Sequence, residues 1–363
     1  MAISLSRRLF LSAAAALPLA PCTRLSAAAA GAPERRISGP FAHDNLAIYL
    51  VHGASAPGPV PLTLAEAMQR GHAVVYETGN VSELSIENTG LEDVFVQSGD
   101  IVKGGKQDRV LTISMILPAK SGKLPIASFC VEQGRWTARG REDVSRFGTA
   151  ASALPSREAK LAMKVTPKLD PAAAAAAAAG GRPGIAQRGN AETSAQGKVW
   201  DSVRKTQTRL SDAVGAPVAA RESATSLQLT LENEKLRASQ AAYAAALSGK
   251  GAAESDVIGF VFAINGKINS ADLYPSNGLF RKMWAKNLNA SVTEALAAKS
   301  ESAGAAPDAD AVLAFLDAAE SGNPSEREIT RQVRLETREA AGNFMFETRG
   351  RAGALLHRNY LAK

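Results

Sequence analysis

The stretch Gly99–Trp136 reads GDIVKGGKQDRVLTISMILPAKSGKLPIASFCVEQGRW. Two polar, glycine-containing clusters, Gly99–Arg109 and Glu132–Trp136, flank an apolar and partly β-branched middle. β-Branched residues lose little χ1 freedom on a pleated surface, so the middle reads as strand. Val110–Leu117 and Ile126–Val131 are the expected strands, with Cys130 near the end of the second. The polar clusters then become their connections, and chemically versatile side chains are brought to one place.

Working outward, the same short-strand rhythm recurs on the N-terminal side. Leu46–Val51, His72–Glu77, Leu84–Asn88 and Asp93–Gln97 are apolar or alternating runs separated by turn residues. Between the first two, Thr63–Met68 is a short helix. Thr63 serves as N-cap, Glu66 completes a capping box, and Gly71 follows the end. On the C-terminal side, Trp200, Val203, Leu210 and Val214 share one helical face, and Leu227, Leu231, Ala238 and Ala242 mark a second helix over 222–247. Val257–Ile264, Asn265-Gly266 and Lys267–Tyr274 form a hairpin signature, because Asn-Gly supplies the two positive-φ positions of a type I′ turn. Helices are expected at 276–288, 290–299 and 309–320, and strands again from Glu328 to Leu361. This pattern predicts an α+β fold, with mainly antiparallel sheets and several packed helices.

Two segments stand apart. Ser6-Arg7-Arg8-Leu9-Phe10-Leu11, a weakly apolar run to Pro21 and small residues through Gly31 read as a twin-arginine export signal over 1–30. The apolar run is about 13 residues, short of the ~20 that span a bilayer, so no stable membrane anchor is expected. The expected location is the periplasm, reached already folded through the twin-arginine machinery. Ala172–Ala179 with Gly180-Gly181-Arg182-Pro183-Gly184 is low complexity, and 168–195 is read as a linker. The chain is thereby divided into a β-rich half over 40–167, a helix-and-hairpin half over 196–300 and a C-terminal helix with strands over 305–363.

Composition narrows the function classes. The formal charge of +7 falls to +4, with 39 bases against 35 acids, once Arg7, Arg8 and Arg24 leave with the signal. Bases and acids are interspersed without a basic block or interleaved aromatics, which argues against nucleic acid as a partner. Cleavage also leaves Cys130 as the sole cysteine, so no intramolecular disulfide is expected. His43, His52, His72 and His357 show no metal-ligand spacing, and no dinucleotide or P-loop glycine pattern is present. Neither a metal nor a cofactor is implied.

The motifs GDIVKGGKQDR (99–109) and CVEQGRW (130–136), with GFVFAINGK (259–267) and LFRKMW (279–284), resemble the ADP-ribosylglycohydrolase- and rhodanese/phosphatase-associated protein domain family. The resemblance covers about residues 40–300, with 305–363 as an addition. The family takes its name from its genomic neighbours, which implies a nucleotide or ADP-ribose context.

Read chemically, Lys103-Gly104-Gly105-Lys106 suits a backbone nest that holds an anion, with Gln107 beside it and Arg109 adding a bidentate contact. The plain alternative is a tight turn with solvated lysines. Glu132, Gln133, Arg135 and Trp136 offer a carboxylate, an amide, a guanidinium and a flat ring, a set suited to a sugar or nucleotide. Their alternative is a strand end in which Arg135 pairs Glu132. Cys130 is a candidate nucleophile, with Glu132 or His72 as base, or else an inward apolar thiol. Asp100 and Asp108 are a weak cation pair. The expected function is binding of a small anionic or polar ligand at 99–109 and 132–136. A hydrolase or transferase using Glu132 or Cys130 with Arg109 and Lys106 is the rival, and a partner-binding module the third reading.

Overall fold

Every residue of strand β2 (Leu46–His52) is buried, which places it between two cores. Leu46, Ile48 and Leu50 face one, and Ala47, Tyr49 and Val51 face the other. A strand covered on both faces reads as a continuous apolar run rather than an alternation, as LAIYLV does. This computed structural model describes residues 35–164, 195–299 and 304–363. The signal reading and nearly all of the Ala/Gly linker lie outside the described residues.

β2 belongs to an eight-stranded sheet. Its spatial order is β1 (Arg36–His43), β2, β12 (Val257–Ile264), β13 (Lys267–Leu273), β17 (Leu355–Ala362), β16 (Asn343–Arg349), β15 (Val333–Glu339) and β14 (Asn323–Thr330), all antiparallel. The β12–β13 turn is the expected one, with φ of 51° at Asn265 and 78° at Gly266. A methyl at Gly266 would sit 2.6 Å from the Ala305 carbonyl, so glycine is required twice over. β17 pairs directly with β13. The C-terminal segment is therefore built into the middle of the main sheet and is no addition.

A six-stranded sheet carries the signature stretch, in the order β11 (Phe147–Ala153), β7 (Asp100–Gly104), β8 (Arg109–Leu111), β10 (Gly122–Cys130), β5 (Glu83–Asn88), β4 (Ala73–Asn80). β10 pairs β5 through Gly122–Ala127 and β8 through Ser128–Cys130, so one strand stitches the two halves together. A three-stranded sheet, β3 (Leu62–Thr63), β6 (Val94–Val96) and β9 (Met115–Leu117), includes the parallel pair β3–β6. The single strand expected over Val110–Leu117 is thus two strands in two sheets. Thr112 leaves the ladder to bond Ala127, and Ser114 departs to contact distant side chains.

Seven helices complete the described residues: α1 (Leu64–Gln69), α2 (Arg157–Lys164), α3 (Ala195–Val214), α4 (Leu227–Leu231), α5 (Glu234–Leu247), α6 (Asn277–Ala297) and α7 (Ala309–Glu320). The capping box of α1 is present as read, Thr63 and Glu66 bonding each other's amides at 2.7 and 3.2 Å. The helix expected over 222–247 is two, because the Asn233 side chain caps a fresh start and shifts the phase. Leu236, Tyr243 and Leu247 face inward, while Ala238 and Ala242 lie outside. Conversely, 276–288 and 290–299 merge into α6, whose Asn287 is buried and hydrogen-bonded rather than a cap. On α3 the buried face includes Val199, Val203 and Leu210, with Trp200 and Val214 half-buried at its margins.

Candidate functional site

The β7–β8 turn and the chain leaving β10 emerge at the same end of the six-stranded sheet, because Cys130 lies opposite Arg109 and Val102 opposite Arg109 across the other edge. That register brings 103–109 and 131–139 together. At Gly105 φ is +53°, and a methyl there would meet the Phe147 ring at 2.3 Å, so the Gly-Gly turn is dictated by packing as well as backbone.

Beneath the turn lies a buried quartet of Asp108, Glu132, Arg135 and Arg139. Arg135 grips Glu132 with Nε and Nη2, both at 2.7 Å. Arg139 grips Asp108 with Nη1 and Nη2, both at 3.0 Å. The remaining lone pairs are filled: Ser226 and the Gly104 amide donate to Asp108 at 2.6 and 2.8 Å, and Ser223 and the Asp108 amide donate to Glu132. Arg135 also caps the Gly104 and Gly105 carbonyls at 3.1 and 2.9 Å. Two buried charges of each sign, each bidentate, meet the condition under which low-dielectric burial is tolerable. Burial alone pushes the Glu132 carboxyl up, but the Arg135, Ser223 and Asp108 hydrogen bonds outweigh it and hold it below the ordinary range.

The amides proposed as an anion nest are occupied by the chain's own acceptors, Gly105 N–H by the Arg146 carbonyl at 3.3 Å and its two neighbours by carboxylates. Gly104 N–H donates to Asp108, and Lys106 N–H donates to Glu77 at 3.2 Å. Lys103 is committed to Glu232 at 2.7 Å. Asp108 faces arginine, and Asp100 faces Lys286 at 2.6 Å. The two carboxylates are therefore matched by separate cations and do not form a pair.

Arg109 is different. It is 0 % exposed, its Nη1 donates to the Gln107 carbonyl at 3.0 Å, yet Nε and Nη2 have no hydrogen-bond partner. Glu77 Oε2 lies 3.7 Å from Nη2, beyond hydrogen-bond reach. The Trp136 ring has this guanidinium at 5.6 Å and Lys106 Nζ at 5.1 Å from its centroid, and Trp136 is 39 % exposed. A cleft of about 650 Å³ opens nearby, lined by Arg135, Arg139, Glu142, Glu222 and Ser223 among others. Gln133 is held by Thr225 through its backbone, which leaves its side chain outside the network.

Cys130 is 1 % exposed, and its thiol approaches the Val81 carbonyl at 3.8 Å. Burial pushes its pKa up; Arg109 pulls it down, and Glu77 and Glu132 add to the rise. His72 packs against Gly90 and Asn88 at the far end of β4, away from this set.

Sequence reasoning missed Arg139, Ser223, Ser226 and Glu77. Arg139 sits in TARGRED, which looks like a solvated turn, and Ser226 carries only the weak signal of an N-cap before LQLTL. It also missed a second buried set. Ser114 Oγ lies 3.0 Å from His357 Nδ1, and His357 Nε2 lies 3.1 Å from Asp272, with all three buried. The separation of 243 residues between Ser114 and His357 leaves no local signature. Asn359 holds Asp272 at 2.9 Å and Lys164 bonds Asn359 at 2.7 Å. We read this chain as a brace between the signature stretch and the main sheet. Among the described residues, His52, Glu254 and Asp256 also converge, but Arg36 already bonds all three, at 2.7, 3.0 and 3.1 Å.

A family model, that of the ARG and Rhodanese-Phosphatase-superfamily-associated Protein domain, matches residues 34–361. It takes in the C-terminal strands as well as the motifs. No curated protein and no solved structure matches the chain.

Proposed function

The chain belongs to the ARG and Rhodanese-Phosphatase-superfamily-associated Protein domain family, and we propose that it binds a small anionic or polar ligand at the Arg109–Trp136 end of the signature stretch. One observation carries this reading. Arg109 is a fully buried cation whose Nε and Nη2 have no hydrogen-bond partner, next to a half-exposed tryptophan. An orphaned donor costs about 1–3 kcal/mol, and a carboxylate or phosphate oxygen relieves that cost. Lys106 supplies a second charge, and Trp136 supplies a face for a sugar or base once displaced. The Asp108–Glu132–Arg135–Arg139 quartet is then the scaffold that holds the turn rather than the contact surface.

Binding is favoured over turnover at this site. Glu132 receives hydrogen bonds at both oxygens and Cys130 is a buried, protonated thiol, so neither is poised to attack or to move a proton. The test is calorimetric titration of the protein with ribose 5-phosphate, inorganic phosphate and citrate. Trp136→Ala and Arg109→Gln should each weaken a bound probe about tenfold, the loss of one charge-assisted or stacking contact. Trp136→Ala, being half-exposed, keeps the test valid if Arg109→Gln does not fold. Absence of heat with all three probes would favour a partner-binding module instead.

We also propose that the protein works in the periplasm, on the strength of the paired Arg7 and Arg8 ahead of a short apolar run. The mass of the protein recovered from a periplasmic fraction should correspond to cleavage near Ala30. An intact N-terminus would overturn export.

A further inference from the structure

Away from the signature stretch, a cavity of about 470 Å³ lies where the N-terminal turn of α2, the middle of α3, the β12–β13 turn and the end of α6 meet. Its size is within the range of small-molecule sites. The floor is polar and buried: Ser202, Thr206 and Asn269 are each under a tenth exposed. The rim is basic, carrying Arg157, Lys205, Arg209, Lys267 and Lys363 against the carboxylates of Glu158 and Glu294. Lys205 is spent on Glu158 at 2.8 Å and Lys363 on Glu339 at 2.8 Å. Among the described residues, the charged heads of Arg157, Arg209 and Lys267 have no hydrogen-bond or ion-pair partner.

A second, independent feature points to what the cavity takes. Glu294 is held by one oxygen only: Oε1 accepts from the Arg157 amide at 2.9 Å and from Asn269 Nδ2 at 3.2 Å. Its Oε2 is buried in the cavity wall without a partner. A buried acceptor left bare on a cavity wall demands a donor. Three free cations and one free acceptor, facing the same volume, fit a ligand with an anionic end and a hydroxyl-bearing end. Guanidinium groups match phosphate by bidentate bonding, and a buried carboxylate takes a sugar hydroxyl.

We propose that this cavity is a second binding site, for a small phosphorylated sugar, with Arg157, Arg209 and Lys267 on the phosphate and Glu294 on a hydroxyl. It is independent of the Arg109–Trp136 reading, since no residue is shared between the two sites.

The experiment is calorimetric titration of the whole protein with ribose 5-phosphate, and with inorganic phosphate and ribose as separate controls. Arg209→Ala and Lys267→Ala change exposed side chains and leave the fold intact. Together they should weaken ribose 5-phosphate and inorganic phosphate by at least about tenfold. Glu294→Gln should weaken ribose 5-phosphate more than inorganic phosphate, because only the sugar uses Oε2. Trp136→Ala should leave this binding event unchanged. If the double variant binds ribose 5-phosphate as the unaltered protein does, the proposal is overturned. It is equally overturned if Trp136→Ala abolishes all binding, which assigns the only site to Arg109, or if no ribose 5-phosphate binds at all.

Discussion

Arg139 and Arg135 differ in what their loss would expose. Arg139 holds both oxygens of Asp108, and its removal would leave a buried carboxylate with only Ser226 and the Gly104 amide as direct hydrogen-bond donors. Breaking a buried pair from one side costs about 3–5 kcal/mol. Arg139→Leu should therefore lower the urea midpoint by that equivalent with an unchanged m-value, and Asp108→Leu/Arg139→Leu together should cost less than the two singles summed. Cys130 carries a separate expectation. With 1 % exposure and a raised thiol pKa, it should react with a thiol reagent such as DTNB only after denaturation. Rapid labelling of the native protein would contradict the inward placement.

At the scale of elements, the local signals that held are those with a chemical partner close in sequence. The Thr63–Glu66 box forms as read, and Thr63→Ala should cost about 1 kcal/mol by denaturant titration. The Asn265-Gly266 turn likewise follows from its own backbone preference, and the Ala305 carbonyl against Gly266 reinforces it. Element boundaries moved at two asparagines. Asn233 caps the Lys235 and Leu236 amides and restarts a helix that periodicity ran through, while Asn287 bonds Gln97 and Tyr274 and lets α6 continue. The same amide side chain starts one helix and lines another. Spacing along the chain does not distinguish these uses, because the partners that claim Asn287 come from the β6–β7 connection and the end of β13.

Acid should unfold the whole molecule. Glu132, Glu66, Glu232 and Asp272 are all held below their ordinary values, burial acting upward in each and being outweighed by hydrogen bonds from Arg135, Thr63, Lys103 and His357 respectively. A depressed folded-state pKa contributes stability that is complete above the unfolded value and lost as pH falls through the folded one. Those unfolded values are 4.5 for glutamate and 3.8 for aspartate. Melting temperature should therefore begin to fall below about pH 4.5 and keep falling further into acid. Glu294 acts in the opposite sense, since burial raises its pKa, but one group does not offset four. A melting temperature flat from pH 6 to pH 3 would count against the buried pairing of these carboxylates.

Local physics was enough to specify the α+β class, the short antiparallel strands, the capping box, the type I′ turn and the closeness of 99–109 to 132–136. Most follow from backbone preference or from residues a few positions apart, and the closeness of the two clusters follows from the return of β10 alongside β8, with Cys130 opposite Arg109. Gly104, Gly105, Lys106, Glu132 and Arg135 were legible as a cluster for the same reason. Their roles were not. Whether a lysine, an amide or a carboxylate stays free depends on which groups fold onto it. Asp108 takes the Gly104 amide, Glu232 takes Lys103, and Arg139 closes the quartet, while Arg109 keeps Nε and Nη2 without a hydrogen-bond partner. Tertiary structure also decided that β17 enters beside β13, that Ser114, His357 and Asp272 meet, and that a basic cavity forms between α2, α3 and α6. Those contacts join residues up to hundreds of positions apart, and their energy is that of charge and hydrogen-bond pairing, which carries no periodicity along the chain.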